Sequence, residues 1–267
     1  MSNSTKIFVV EGEDRDLRFL NSLVRVFFQG KYEAQIISLP AKQNIYMLYN
    51  ILKEDGFESD IVEILRDNVE DAAEKLEGIS RQEIDEVFLL FDFDLHQNNL
   101  SSSINQDPLD VLKELVSYFD NETENGKLYV SYPMIEAAYD FVVDECETFT
   151  GCYLPLEKFV DYKTLSGTNN PVASWHFDYV QWAEAIKVFA LRIQCLFKNS
   201  SIDYKSFRGE INTFSILEKQ INLIEKLHGV FVLGACPEFL LDYFNEAFWV
   251  KHFRVVNNKV NDCELHK

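Results

Sequence analysis

The sequence predicts an α/β domain, a mostly parallel sheet flanked by helices, followed by a mainly helical region. Three observations predict it. Short apolar runs alternate with longer stretches of helical period over residues 1–150. One of those runs, EVFLLF at 86–91, is apolar almost throughout, as a strand covered on both faces must be. After residue 150 the short runs largely disappear and long amphipathic segments take over.

The elements follow in order. KIFVV at 6–10 is a β-branched run and reads as the first strand, stopping at Glu11-Gly12. Residues 14–28 repeat apolar positions at Leu17, Leu20, Val24 and Phe27, a helical period. The acids at its start, Glu13, Asp14 and Asp16, suit the positive end of a helix. AQIISL at 34–39 is a second strand, closed by Pro40. Helices are expected at 44–53 and 61–76. The second carries one apolar stripe, and its acidic face of Glu63, Asp67, Glu70, Asp71 and Glu74 reads as solvated. The strand at 86–91 leads into a polar loop. A helix is expected at 108–119, with Pro108 in its first turn. A strand at 127–130 and a helix at 134–143 complete the pattern. Beyond residue 150, helices are expected at 179–197, 210–227 and 238–249.

Charge divides the chain at the same place. The chain holds 44 acids and 25 Lys and Arg, a formal net charge of −19. Residues 151–267 contain 13 of each sign, so the excess lies in residues 1–150, with 31 acids against 12 bases. We therefore expect two domains, 1–150 and 151–267. A surface this acidic disfavours general long-range attraction to nucleic acid. It suits metal cations or a basic partner protein.

The hydrophobic fraction of 47% is ample for a core. Five cysteines lie far apart with no CxxC pair, which argues against a disulfide framework or a zinc site. The opening MSNSTKIFVVEGED lacks the pattern of a signal peptide, and no run has the roughly 18 apolar residues of a membrane span. The expectation is a reduced, cytoplasmic protein.

The chemistry concentrates at strand ends. In FLLFDFDLH (88–96), an apolar strand runs into Asp92 and Asp94, which alternation turns to one side of the chain. In α/β sheets ligands bind at the carboxyl ends of strands. Glu11 ends the first strand and could join the pair if the two strands are near neighbours. Carboxylates held together repel, and a cation relieves that repulsion. Hard oxygen ligands suit Mg²⁺ or Mn²⁺, commonly shared with a substrate phosphate. His96 could orient a phosphate or shuttle a proton.

These residues carry a family resemblance. VVEGEDRDLRFL (9–20) resembles the first motif of Toprim domains, the catalytic fold of topoisomerases, primases and OLD-type nucleases. FLLFDFDLH resembles the second, a strand ending in Asp-x-Asp. The pattern is nearest the RloB-like group of prokaryotic defence loci, with its Glu-Gly-Glu start, an acid five residues after the first Glu, and a Phe-Asp-x-Asp-x-His core. SYPMIEAAYDF (131–141) approximates a third element that would bring Glu136 near the site, although Tyr132 and Ile135 depart from it. The resemblance covers roughly residues 6–145. It implies a Toprim-like catalytic domain and metal-dependent phosphodiester chemistry, with Asp92 and Asp94 holding Mg²⁺ or Mn²⁺. Glu11 would be a further ligand or the general acid/base, and Asp16 and Glu136 would complete a second metal position.

The expected activity is a nuclease cleaving RNA or DNA, serving as an anti-phage defence effector. Basic contacts to nucleic acid would come from Lys158, Lys163, Arg192, Lys198, Lys205 and Arg208. In YKSFR (204–208), Tyr204 could stack on a base. A non-catalytic reading has the acidic face of residues 54–86 docking a partner ATPase. A phosphatase of the haloacid dehalogenase type is disfavoured by Leu95-His96 after the Asp-x-Asp and by the position of that motif far from the first strand.

Overall fold

A computed structural model describes residues 4–12, 14–40, 43–93, 95, 100–102, 104–141, 152–169, 176–198 and 203–253. Thr5–Val10 (β1) pairs in parallel with Glu33–Ser38 (β2) on one side and Ile84–Asp92 (β3) on the other. The five-stranded sheet runs β2-β1-β3-β5-β4, where β5 is Gly126–Ser131 and β4 the short antiparallel Asp120–Asn121. All of β1 is buried, as is β3 from Val87 to Phe91. The expected α/β class, with a mostly parallel sheet and a helical C-terminal region, is what the chain adopts.

Between β1 and β2 lies Arg15–Phe27 (α1), whose Phe19, Leu20, Leu23 and Phe27 form the buried stripe. Ile45–Glu54 (α2) is capped by Asn44, whose side chain accepts from the Tyr46 and Met47 amides. The helix expected at 61–76 is two helices, Ile61–Asn68 (α3) and Glu70–Lys75 (α4), separated by an extended Val69. A long-range contact explains the break. Asp71 accepts the Ser38 amide of edge strand β2 at 2.9 Å, and Lys75 donates to the Ile36 carbonyl at 2.6 Å. Turning the chain at Val69 lays α4 along that edge. Asp71 is thus a partner of the sheet rather than part of a solvated face. Pro108–Tyr118 (α5) starts as expected, with Asp107 as cap and Pro108 in its first turn.

The chain divides into two compact units, Met1–Tyr129 with Ser174–His176, and Val130–Ala173 with Phe177–Lys267. In the second, a short antiparallel pair, Tyr153–Pro155 (β6) and Gly229–Phe231 (β7), sits among helices. These are Phe159–Asn169 (α6), Tyr179–Phe197 (α7), Tyr204–Gly209 (α8), Thr213–Leu227 (α9), Ala235–Tyr243 (α10) and Glu246–Phe253 (α11). The α7 bounds match the sequence expectation. The helix expected at 210–227 starts later, where Asn212 caps α9. The segment 238–249 spans two helices, divided at the extended Phe244.

In place of the helix expected at 134–143 there is a single 3-10 turn, Ile135–Tyr139, buried along its length. Residues 142–150 lie outside the described set. The turn packs backbone to backbone on Gly234, where a methyl group would stand 2.6 Å from the Ala138 Cα. An extended Asp140 follows, with its carboxylate held by the Tyr162 hydroxyl at 2.9 Å. Among the described residues no helix is long and apolar enough to cross a membrane.

Candidate metal centre

The parallel register of β1 on β3 matches Val10 with Leu90. Both strands run out at the same sheet edge, so the residues that follow meet there. The Asp92 amide donates to Glu11 Oε2 at 3.3 Å, which fixes the Glu11 carboxylate against the tip of β3. Phe91 and Phe93 are buried, whereas Asp92 between them is half-buried, as are Glu11 and Asp16. The condition attached to Glu11, a neighbouring strand, is met.

Asp16 stands in the first turn of α1. Its Oδ2 accepts the Gly12 amide at 2.9 Å, so the Glu-Gly turn is tied to the helix that follows it. Glu11, Asp16 and Asp92 therefore share one corner of the first unit. Asp94 and His96 lie outside the described residues. Among the described residues, no three His, Cys, Asp or Glu side chains form a group able to hold a metal ion. The donors that are described fit a hard cation in kind, being half-buried carboxylate oxygens at strand ends.

Glu136 belongs to the second unit. It is buried in the 3-10 turn, and Lys163 approaches its carboxylate at 3.9 Å. Nearby in that unit Asp140 faces Arg192 at 3.6 Å, and Arg192 donates to the Val232 carbonyl at 3.2 Å. Arg192 is 1% exposed, so it is not the surface cation expected for nucleic acid. Burial, together with the Asp140 charge beside it, pushes the Tyr162 hydroxyl well above the ordinary tyrosine range. Sequence reasoning missed this buried network. The one signal for it was a charged residue inside the apolar run FALRIQCLF of α7.

The YKSFR run forms most of α8. Phe207 is buried, and the rings of Tyr204 and Phe207 lie 6.3 and 4.9 Å from that of Trp249. Arg208 pairs with the Asp242 carboxylate at 2.7 Å, while Lys205 is exposed.

A second polar feature of the first unit escaped the sequence reading. An open cleft of about 370 Å³ is lined by Asn50, Lys53, Glu54, Ser101, Ile104 and Gln106, among others. Lys53 and the Tyr49 hydroxyl meet Glu114 at 2.9 and 2.6 Å. Glu114 loses solvation, which raises its pKa, but the hydrogen bonds from Tyr49 and Lys53 outweigh this and hold it below the usual carboxylate range. No family model, no curated protein and no solved structure matches the chain.

Proposed function

We propose that the chain is a Mg²⁺- or Mn²⁺-dependent nuclease of Toprim type, hydrolysing RNA or DNA phosphodiesters, and that it acts in anti-phage defence. The supporting observation is the contact of Glu11 with the Asp92 amide at 3.3 Å. It ties the Glu11 carboxylate to the backbone of a residue 81 positions away, at the carboxyl ends of neighbouring strands, where α/β folds bind ligands. The order of motifs that resembles Toprim domains supports the same reading.

In this reading Asp92, Asp94 and Glu11 hold the cation. When bound, it would polarise the scissile phosphate and offset the charge of the leaving oxygen. The Glu11 carboxylate is oriented by the Asp92 amide, which supports its part as a ligand. Purified protein with Mg²⁺ or Mn²⁺ should cleave some RNA or DNA substrate. Glu11→Ala and Asp92→Ala should each lower the rate by at least about a hundredfold. Cleavage that survives both substitutions refutes the assignment.

One observation favours a second, non-catalytic reading, in which the acidic surface docks a partner ATPase. On α3 and α4, Asp67, Glu70 and Glu74 are exposed, and the net charge of the chain resides in its first part. Association that weakens steeply with salt, in protein that takes up no divalent ion, would select it.

A further inference from the structure

We infer that Asp16 is a positioning residue, which holds the Glu11-Gly12 turn by accepting the Gly12 amide, and is not a metal ligand. The inference rests on the nuclease reading for its functional meaning, but its geometry stands alone.

Three observations carry it. First, the Asp16 carboxylate lies across the glycine and not beyond it. A methyl group at Gly12 would stand 2.8 Å from Asp16 Oδ2, 2.9 Å from Cγ and 3.1 Å from Oδ1. Gly12 is not among the residues in the left-handed region. A side chain at this position would displace the Asp16 carboxylate, so the preference for glycine comes from that contact and not from the backbone angle. Second, Oδ2 is engaged by the Gly12 amide at 2.9 Å. The start of α1 is otherwise weakly capped, since the N-cap Asp14 makes no side-chain cap hydrogen bond. Asp16 reaches back four residues and fastens the strand-to-helix turn in its place. Third, its charge is already offset. A carboxylate in the first turn of a helix sits in the positive field of the helix end and needs no cation for company.

The connection to the site runs through the backbone. Asp16 fixes Gly12, Gly12 follows Glu11, and Glu11 meets the Asp92 amide. Loss of the Asp16 contact frees the turn and with it the direction of the Glu11 carboxylate.

The experiment uses the full chain and reads turn and metal separately. Hydrogen exchange at the Gly12 amide, followed by NMR on ¹⁵N-labelled protein, reads the turn. Protection is expected in wild type and in Asp16→Asn, whose amide oxygen still accepts, with exchange about tenfold faster in Asp16→Ala. Calorimetric titration with Mn²⁺ reads the metal. Affinity is expected to stay within about twofold of wild type in Asp16→Asn and to fall about tenfold in Asp16→Ala, as when a group supporting a ligand is removed. Gly12→Ala displaces the carboxylate and should match Asp16→Ala, with the double variant no worse than either, because both remove one contact.

If Asp16→Asn loses as much Mn²⁺ affinity as Asp16→Ala while Gly12 stays protected, Asp16 is a ligand and the inference is overturned. Gly12 protection that survives Asp16→Ala overturns it equally. Wild-type protein that takes up no Mn²⁺ sinks the metal reading instead, and the exchange data still decide whether Asp16 holds the turn.

Discussion

Single contacts between distant residues set the local chemistry. Lys6 is 3% exposed at the amino end of the sheet, paired with Glu86 of the neighbouring strand and lying 4.4 Å from the centre of the Tyr32 ring. A buried ammonium tolerates such a place only with its partner, so Glu86→Ala should cost about 3 kcal/mol in denaturant unfolding. Glu86→Gln, which keeps an acceptor, should cost less. At the buried Tyr162 the sign follows from the raised pKa. The folded state holds the hydroxyl proton more tightly than the unfolded chain does. The associated stability is therefore fully present below the unfolded value near pH 10 and is lost as pH rises above it, by no more than about 1.4 kcal/mol per pH unit. Unfolding midpoints measured from pH 9 to 11 should decline, and Tyr162→Phe should flatten the decline. An equally steep decline in that variant would assign it elsewhere.

Elements end and bend where distant partners require it, and this limits what the sequence reveals. The strands β1 and β3 and the helices α1 and α7 were legible, because their apolar periods coincide with their buried faces. The break at Val69 was not, because the apolar stripe of 61–76 continues across it and the cause is the Asp71 bond to Ser38. The 3-10 turn at Ile135–Tyr139 was hidden similarly, since its cause is the approach of Ala138 to Gly234, a residue almost a hundred positions away. Gln220 is a further case. Its side-chain amide exchanges two hydrogen bonds of 2.9 Å with the Phe231 backbone and completes β7 as another strand would. Two substitutions test these devices. Asp71→Ala exposes an edge-strand amide and should destabilise by about 1–2 kcal/mol. Gly234→Ala sets a methyl group against backbone, which cannot swing aside, and should cost about 1–3 kcal/mol. If neither shifts the urea midpoint, these contacts do not determine where the elements end.

Across the whole chain, the acidic excess of residues 1–150 coincides with the part that holds the parallel sheet and the strand-end carboxylates. That combination repels polyanions at long range and attracts cations. The strand-end acids Glu11 and Asp92 were legible, because each comes at the end of an apolar strand run. That Glu11 would reach Asp92 was not legible, because strand order is absent from the local pattern. The β1–β3 pairing supplies it. Glu136 lies in the second unit, where it is buried and approached by Lys163. The most direct measurement is an anomalous difference map from crystals grown with Mn²⁺. A peak at about 2.1–2.3 Å from carboxylate oxygens of Glu11 and Asp92 is the predicted result, using the coordination distance of hard divalent ions. A map with those side chains well ordered, Mn²⁺ in excess and no peak between them would contradict the proposed centre.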